Sequence, residues 1–182
     1  MIETQRLIIR LPQVPDVPEV IRYYSENRAH IQAFSPTFAP DFLDVATWLE
    51  QVRARTLEFA AGESFRGFLF DRLAPVRVVG NINLTQVHRG SFQSCVLGYG
   101  LAASEQGKGY MTEAVGGAVS FAFGTWKLHR VAASCMPSNV RSAAVLRRCG
   151  FQVEGQAPAY LFINGRWEDH VLTSITNPDW TA

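Results

Sequence analysis

The chain has 182 residues, enough for one domain with a buried core, and its 47% hydrophobic and 18% charged content is that of a soluble globular protein. With 17 basic against 16 acidic residues the net charge is +1, which gives no electrostatic footprint for nucleic acid or an anionic membrane. Cys95, Cys135 and Cys149 form no Cys-x-x-Cys pair, and His30, His88, His129 and His170 are dispersed, which argues against a disulfide framework or a structural zinc. No run approaches the ~18 apolar residues of a membrane span, and the opening MIETQRLIIR lacks the apolar core of a secretory signal. The expectation is one soluble, cytoplasmic domain over residues 1–182, with free thiols and no metal.

In chain order, Arg6–Leu11 reads as a strand ended by Pro12 and Pro15. Asp16–Asn27 follows as a helix, with Asp16 as its cap and Val17, Val20, Ile21 and Tyr24 on one face. Val45–Ala61 is a second helix, with Val45, Trp48, Leu49, Val52 and Leu57 at helical spacing. Phe65–Asp71, Val76–Gln86 and Phe92–Leu101 are β-rich runs, the last two joined by Arg89-Gly90-Ser91. A loop at Ser104–Gly109 leads into a helix over Tyr110–Gly124. Arg130–Cys135 is a strand, Asn139–Cys149 a helix and Phe151–Glu154 a strand. Tyr160–Ile163 and Glu168–Thr176 close the chain as two strands around an Asn164-Gly165 hairpin turn. This order predicts an α+β (mixed α/β) layer rather than a doubly wound sheet.

The most informative segment is the strand Cys95–Leu101, its loop, and Gln106-Gly107-Lys108-Gly109-Tyr110-Met111-Thr112-Glu113-Ala114. Two glycines at a strand-to-helix junction let backbone N–H groups converge at the positive end of a helix dipole, where a phosphate fits. Lys108 adds a charge nearby. A phosphate loop of the nucleotide-binding kind is excluded, because Tyr110 rather than Ser or Thr follows Lys108-Gly109. The dinucleotide fingerprint fails too, with Thr112 at its third glycine position.

Leu97-Gly98-Tyr99-Gly100-Leu101 followed by Gln106–Ala114 resembles the acetyl-CoA motif of the GNAT acetyltransferases. Leu128-His129-Arg130-Val131, Asn139-Val140-Arg141-Ser142 and Arg148-Cys149-Gly150-Phe151 are similar to the second half of that fold. Glu154-Gly155, Tyr160-Leu161, Gly165–Val171 and the opening Thr4-Gln5-Arg6-Leu7 resemble the subgroup that acetylates ribosomal-protein N-termini, the alanine-directed enzyme above all. The resemblance implies a mostly antiparallel central sheet flanked by helices, with a V-shaped splay between the fourth and fifth strands.

It also implies direct transfer within a ternary complex, acetyl-CoA being the co-substrate and no metal taking part. Backbone amides of Gln106, Gly107, Lys108, Gly109, Tyr110 and Met111 would hold the pyrophosphate, and the strand edge at Tyr99 and Leu101 the pantetheine arm. The Leu101 amide would donate to the thioester oxygen as charge develops there. Asn139 matches the family's CoA-contacting asparagine and also suits a helix N-cap. Many relatives carry a tyrosine acid seven residues after that asparagine, where this chain has Leu146. The ribosomal-protein enzymes instead use a serine at Asn-x-x-Ser, so Ser142 is the candidate acid to the departing sulfur, against the alternative of a serine bonded to its own helix.

No residue is placed as general base. Some relatives carry an acid just before the tyrosine of Tyr160-Leu161, and here it is Ala159. Glu105, Glu113, His30 and His88 qualify by residue type alone. Near pH 7.4 roughly a quarter of an α-amine is neutral, against about one part in a thousand for lysine, so an N-terminal acceptor makes least demand on a base. Ser142, His170 and Asp169 do not form a hydrolase triad, since Ser142 lacks a nucleophile elbow and neighbours on a strand face opposite ways. The aromatics Tyr23, Tyr24, Phe34, Phe38, Phe42 and Trp48 read as core, with Phe34–Phe42 a loop that could line a substrate groove. The expected acceptor is a protein N-terminus, a ribosomal protein's in particular, and the enzyme a monomer or homodimer. A small amine (antibiotic, polyamine or amino acid) and a non-catalytic CoA-binding module are the alternatives.

Overall fold

The computed structural model describes residues 1–181. The chain opens with β1 (Ile2–Glu3), β2 (Leu7–Arg10), α1 (Val17–Glu26), a short α2 (Arg28–Gln32) and α3 (Val45–Ala60). Then come β3 (Phe65–Asp71), β4 (Ala74–His88), β5 (Ser94–Leu101), α4 (Tyr110–Gly124), β6 (Arg130–Cys135), α5 (Val140–Arg148), β7 (Gln152–Ile163) and β8 (Arg166–Thr176). The eight strands form one sheet in the order β1-β2-β3-β4-β5-β6-β8-β7.

Every neighbouring pair is antiparallel except β5 and β6, which run parallel over only Ser94↔Arg130 to Leu97↔Ala133. Past Leu97 the two strands part. The expected splay is therefore present; it falls between the fifth and sixth strands because the two-residue Ile2–Glu3 strand, absent from the sequence reading, pairs with β2 and shifts the count.

Two apolar clusters sandwich the sheet. One places Ala114, Val115, Ala118 and Ala122 of α4 against Leu97 of β5 and Val131 and Ala133 of β6, with Leu146 of α5 at its edge. The small side chains of α4 let the helix lie close on the strands. The other packs Val17, Val20, Tyr23 and Tyr24 of α1 and Trp48 and Val52 of α3 on Phe68, Phe70 and Val78. Phe38 and Phe42 stack 4.2 Å apart beside Tyr24, so the aromatics of the first half are core and Phe34 alone among them is exposed.

Several expectations need correction. Phe151–Glu154 and Tyr160–Ile163 are parts of one strand, β7, whose pairing with β8 slips between Val153 and Gly155 and between Ala157 and Leu161. The second slip expels Pro158–Tyr160 and puts Ala159 at φ 47. In α3 the buried face is Trp48–Val52–Arg55, while Val45 and Leu57 are exposed; Leu57 lies nine residues, half a rotation, from Trp48. The Arg55 guanidinium lies 5.0 Å from the Trp48 ring and 5.3 Å from the Phe68 ring, which lets a charged residue stand on the buried face. Asp16 does occupy the cap position of α1 but makes no capping bond; its carboxylate accepts from Arg10 at 2.5 and 2.9 Å and from the Gln13 N–H at 2.7 Å.

Candidate active site

The loop after β5 makes a single 3-10 turn, Ala103–Glu105, and then twists through two left-handed glycines into α4. Gly107 (φ 78) and Gly109 (φ 80) hold conformations that L side chains rarely adopt, and a Cβ on Gly107 would meet nothing within 4 Å. The first backbone donor with a partner past Gln106 is Glu113 N–H, to Gly109 O at 3.1 Å. The N–H groups of Gly107 through Thr112 thus have no partner among the described residues, and an anion is the ligand such a row accepts.

Side chains hold this loop from three directions. Glu105 is buried, and its carboxylate accepts from Arg77 Nη2 at 2.6 Å and Lys108 Nζ at 2.9 Å. Burial alone would raise the Glu105 carboxyl, yet the hydrogen bonds from Lys108 and Arg77 outweigh it and hold it below the usual carboxylate range. Gln106 is gripped between His30 Nε2, 2.8 Å from its Nε2, and the Arg141 guanidinium. Glu113 accepts from Thr4 Oγ1, the Arg6 N–H and Arg6 Nε at 2.6, 2.7 and 2.7 Å, while Arg6 Nη1 reaches Lys108 O at 2.8 Å. The Arg6 guanidinium also lies 4.6 Å from the Tyr110 ring centroid.

The strand edge is equally free. Ala102 N–H donates to Val79 O at 2.9 Å, so by alternation Gly98 and Gly100 turn their backbone groups to β4 and Tyr99 and Leu101 turn theirs toward the gap. Because β6 pairs no further than Leu97, those N–H and C=O groups face the splay. An amide-rich arm fits such an edge as an added strand would.

Across the gap stands the start of α5. Asn139 caps it, accepting the Ser142 N–H at 3.1 Å. The Tyr99 hydroxyl is 2.8 Å from Ser142 Oγ and donates to Ser142 O at 3.2 Å. Burial pushes the Tyr99 phenol well above its ordinary range, so it stays protonated and acts as a donor. Leu146, at the position of the family's tyrosine, is buried in the core under α5.

The opposite face of the sheet is open at the splay. Gly98 exposes that face of β5, and a Cβ there would meet nothing within 4 Å. Over Gly100 a Cβ would meet Asn81 Oδ1 at 2.8 Å and the Tyr23 hydroxyl at 3.3 Å, a polar pair itself bonded at 3.1 Å. At the gap the sheet is thus covered by α4 and α5 on one face and bare at Gly98 on the other.

Of the residues singled out from sequence, Tyr99, Leu101, Asn139 and Ser142 border the gap, and Gln106 through Met111 form the loop at its head. Met111 turns its side chain into the core, leaving only its backbone N–H outward. Lys108 is paired with Glu105 rather than free. The four residues considered as bases by type are elsewhere: Glu105 and Glu113 are ion-paired struts of the loop, His30 holds Gln106, and His88 lies at the far end of β4 beside Phe92. The Tyr99–Ser142 contact and the Thr4–Arg6–Glu113 clamp escaped the sequence reading; the Thr4-Gln5-Arg6 run was its only trace, because partners more than 100 positions apart leave no local pattern.

Residues 6–152 match the acetyltransferase (GNAT) domain. Over 178 residues the chain is 38% identical to the ribosomal protein uS5-alanine N-acetyltransferase of Escherichia coli (strain K12), covering 98% of this chain and 91% of that protein. The crystal structure of Ribosomal-protein-S5-alanine Acetyltransferase from Vibrio fischeri superposes with a TM-score of 0.93 at 32% identity, over 99% of this chain and 98% of that one. Mycobacterium smegmatis RimJ in complex with CoA-disulfide superposes with a TM-score of 0.88 at 26% identity, over 97% and 84% of the two chains. The matched segment includes both strands of the splay, the amide-lined loop and all of α5, and the chain belongs to the GNAT family of acetyl-CoA-dependent N-acetyltransferases.

Proposed function

We propose that the enzyme transfers acetyl from acetyl-CoA to the N-terminal α-amine of a protein, a ribosomal protein being the acceptor class. The observation that carries this is the run of unpartnered amides at the head of the splay with the bare far face at Gly98, beside near-full-length likeness to an alanine-directed ribosomal-protein enzyme. Acetyl-CoA brings an activated thioester; everything else is contributed by the chain.

The amides of Gly107 to Thr112 and the dipole of α4 hold the pyrophosphate, and Tyr99 and Leu101 clamp the pantetheine arm along the freed edge. The Leu101 N–H donates to the thioester oxygen as negative charge develops on it. Ser142 donates its hydroxyl proton to the leaving sulfur. Tyr99, kept protonated by burial, lies 2.8 Å from Ser142 Oγ and in this reaction turns its single proton there in place of Ser142 O, which leaves the serine's own proton free to point into the gap. The acceptor arrives over Gly98, where no side chain stands in its way.

Release of free thiol from acetyl-CoA tests this with three acceptors: a peptide with a free N-terminal Ala, the same peptide blocked at its N-terminus but keeping an internal lysine, and spermidine. Turnover with the free peptide alone is expected. Turnover with spermidine alone would overturn the reading in favour of a small-amine enzyme, and acetyl-CoA binding without turnover on any amine in favour of a non-catalytic module.

A further inference from the structure

The chain lacks an acidic residue where some relatives place one, and Glu105 and Glu113 are ion-paired within the loop. A buried histidine, His170, lies on the far face of the sheet and has no role in the reaction proposed above. On β8, Val171 and Ile175 pack into the cluster beneath α4 and α5, so alternation turns His170, Leu172 and Ser174 to the opposite face, the one left open at Gly98. The register places Val171 beside Cys135, the last residue of β6, and so sets His170 just beyond the end of that strand. It therefore stands about one interstrand spacing, roughly 4.8 Å, from the β6 side of the gap, at the level where β5 and β6 have separated.

The hydrogen bonding of His170 is that of a base. Its Nδ1 is 3.0 Å from Glu168 O. A carbonyl only accepts, so Nδ1 carries the hydrogen, and in the neutral imidazole the lone pair is then on Nε2. Nε2 has no partner among the described residues, yet it is not among the atoms sealed from solvent without one. The residue as a whole is 5% exposed, with the Tyr160 ring 5.5 Å from the imidazole. A backbone carbonyl thus fixes the ring, an aromatic shields it, and its free nitrogen is reachable. Its neighbour Asp169 points the other way and is engaged with the Ala159 N–H at 2.8 Å; Glu168 is paired with Arg166.

We infer that His170 is the general base of this enzyme, taking a proton from the acceptor ammonium on the open face of the sheet; the inference rests on the proposed reaction with an amine. One proton of the ammonium passes to Nε2 and then to solvent. The neutral nitrogen forms its bond to the thioester carbon, the C–S bond breaks with its electron pair going to sulfur, and the second proton lost from nitrogen replaces the one Ser142 gives to sulfur. Products are the N-acetyl amide and free CoA thiol.

Two variants test it. His170→Ala removes the ring and leaves a cavity that imidazole can enter. His170→Asn keeps an N–H where Nδ1–H stood, preserving the bond to Glu168 O while deleting Nε2. The wild-type enzyme is assayed first on the free Ala peptide, the blocked peptide and spermidine, which settles the acceptor separately; the variants are then measured on whichever amine it accepts. Both are expected to lose about 100-fold in kcat, to bind acetyl-CoA within about twofold of wild type by calorimetry, and, for the Ala variant, to regain activity with added imidazole. If His170→Asn folds and turns over within about twofold of wild type, or if His170→Ala binds acetyl-CoA normally but its lost activity ignores imidazole, His170 is not the base. Should the Ala variant not fold, the Asn variant alone decides.

Discussion

At the scale of single residues the site rests on two kinds of group, backbone amides without partners and side chains whose hydrogen bonds aim one free atom. Gly107 belongs to the first kind. Valine there would be forced into a left-handed conformation that costs about 1–2 kcal/mol, and would place a branched side chain where nothing now stands within 4 Å. Gly107→Val should therefore weaken CoA binding at least ~10-fold, about 1.4 kcal/mol, by calorimetry; undiminished binding would contradict the pyrophosphate assignment. Ser142 belongs to the second kind, held by Asn139 through its backbone and by Tyr99 through its hydroxyl. Ser142→Ala should lower kcat by about 100-fold while moving the KM for acetyl-CoA far less, because a donor to departing sulfur acts in the transition state. An unchanged single-turnover rate would remove Ser142 from the mechanism.

Among elements, the decisive contacts tie the N-terminal strands to the head of α4. Glu113 takes three hydrogen bonds from Thr4 and Arg6, and Arg6 continues to Lys108 O within the loop. Burial would raise the Glu113 carboxyl, but the bonds from Thr4 and Arg6 prevail and hold it low in the folded state. A carboxyl depressed by folding stabilises above its unfolded value, near 4.5, and that contribution is lost as pH falls through the folded one. Glu113→Gln should therefore cost about 1 kcal/mol at pH 7, discounted because the Arg6 side chain is 41% exposed. The difference in thermal midpoint should shrink as pH is lowered below the ordinary carboxylate range. A gap that stays constant down to pH 3 would show that the charge is not what Glu113 contributes.

The same elements show what sequence can and cannot carry. Phe65–Asp71, Tyr110–Gly124 and Arg130–Cys135 were legible to the residue, since period and turn chemistry mark their ends. The Gln106–Met111 loop was legible because glycine spacing at a strand-to-helix junction is itself the geometry. What could not be read depends on distant partners. α2 is only five residues long, and the slip in β7 is defined by pairing with β8. The Tyr99–Ser142 bond spans 43 positions. His170 was weighed in sequence as one of four dispersed histidines and as a member of a rejected hydrolase triad; its place next to the end of β6 emerges from the β6–β8 register.

For the whole molecule, the proposed reaction uses the one seam at which the sheet parts, the two substrates meeting there from opposite faces. Helices α4 and α5 cover the face of the splay proposed to receive CoA, and Gly98 of β5 leaves its own position on the far face clear. A ligand that bridges β5, the loop and α5 should stabilise the entire fold: acetyl-CoA at about 100 times its Kd adds roughly 2.7 kcal/mol, a rise of about 5–10 °C in Tm for a chain of this length. Gly107→Val should lose most of that rise, and an equal rise in the variant would place the ligand elsewhere. The central claim is chemical, and one product settles it. A peptide bearing both a free N-terminal Ala and an internal lysine, incubated with enzyme and acetyl-CoA and fragmented by mass spectrometry, should carry a single acetyl group on its α-nitrogen. An acetyl group on the lysine side chain, or an unmodified peptide beside active enzyme, would contradict it.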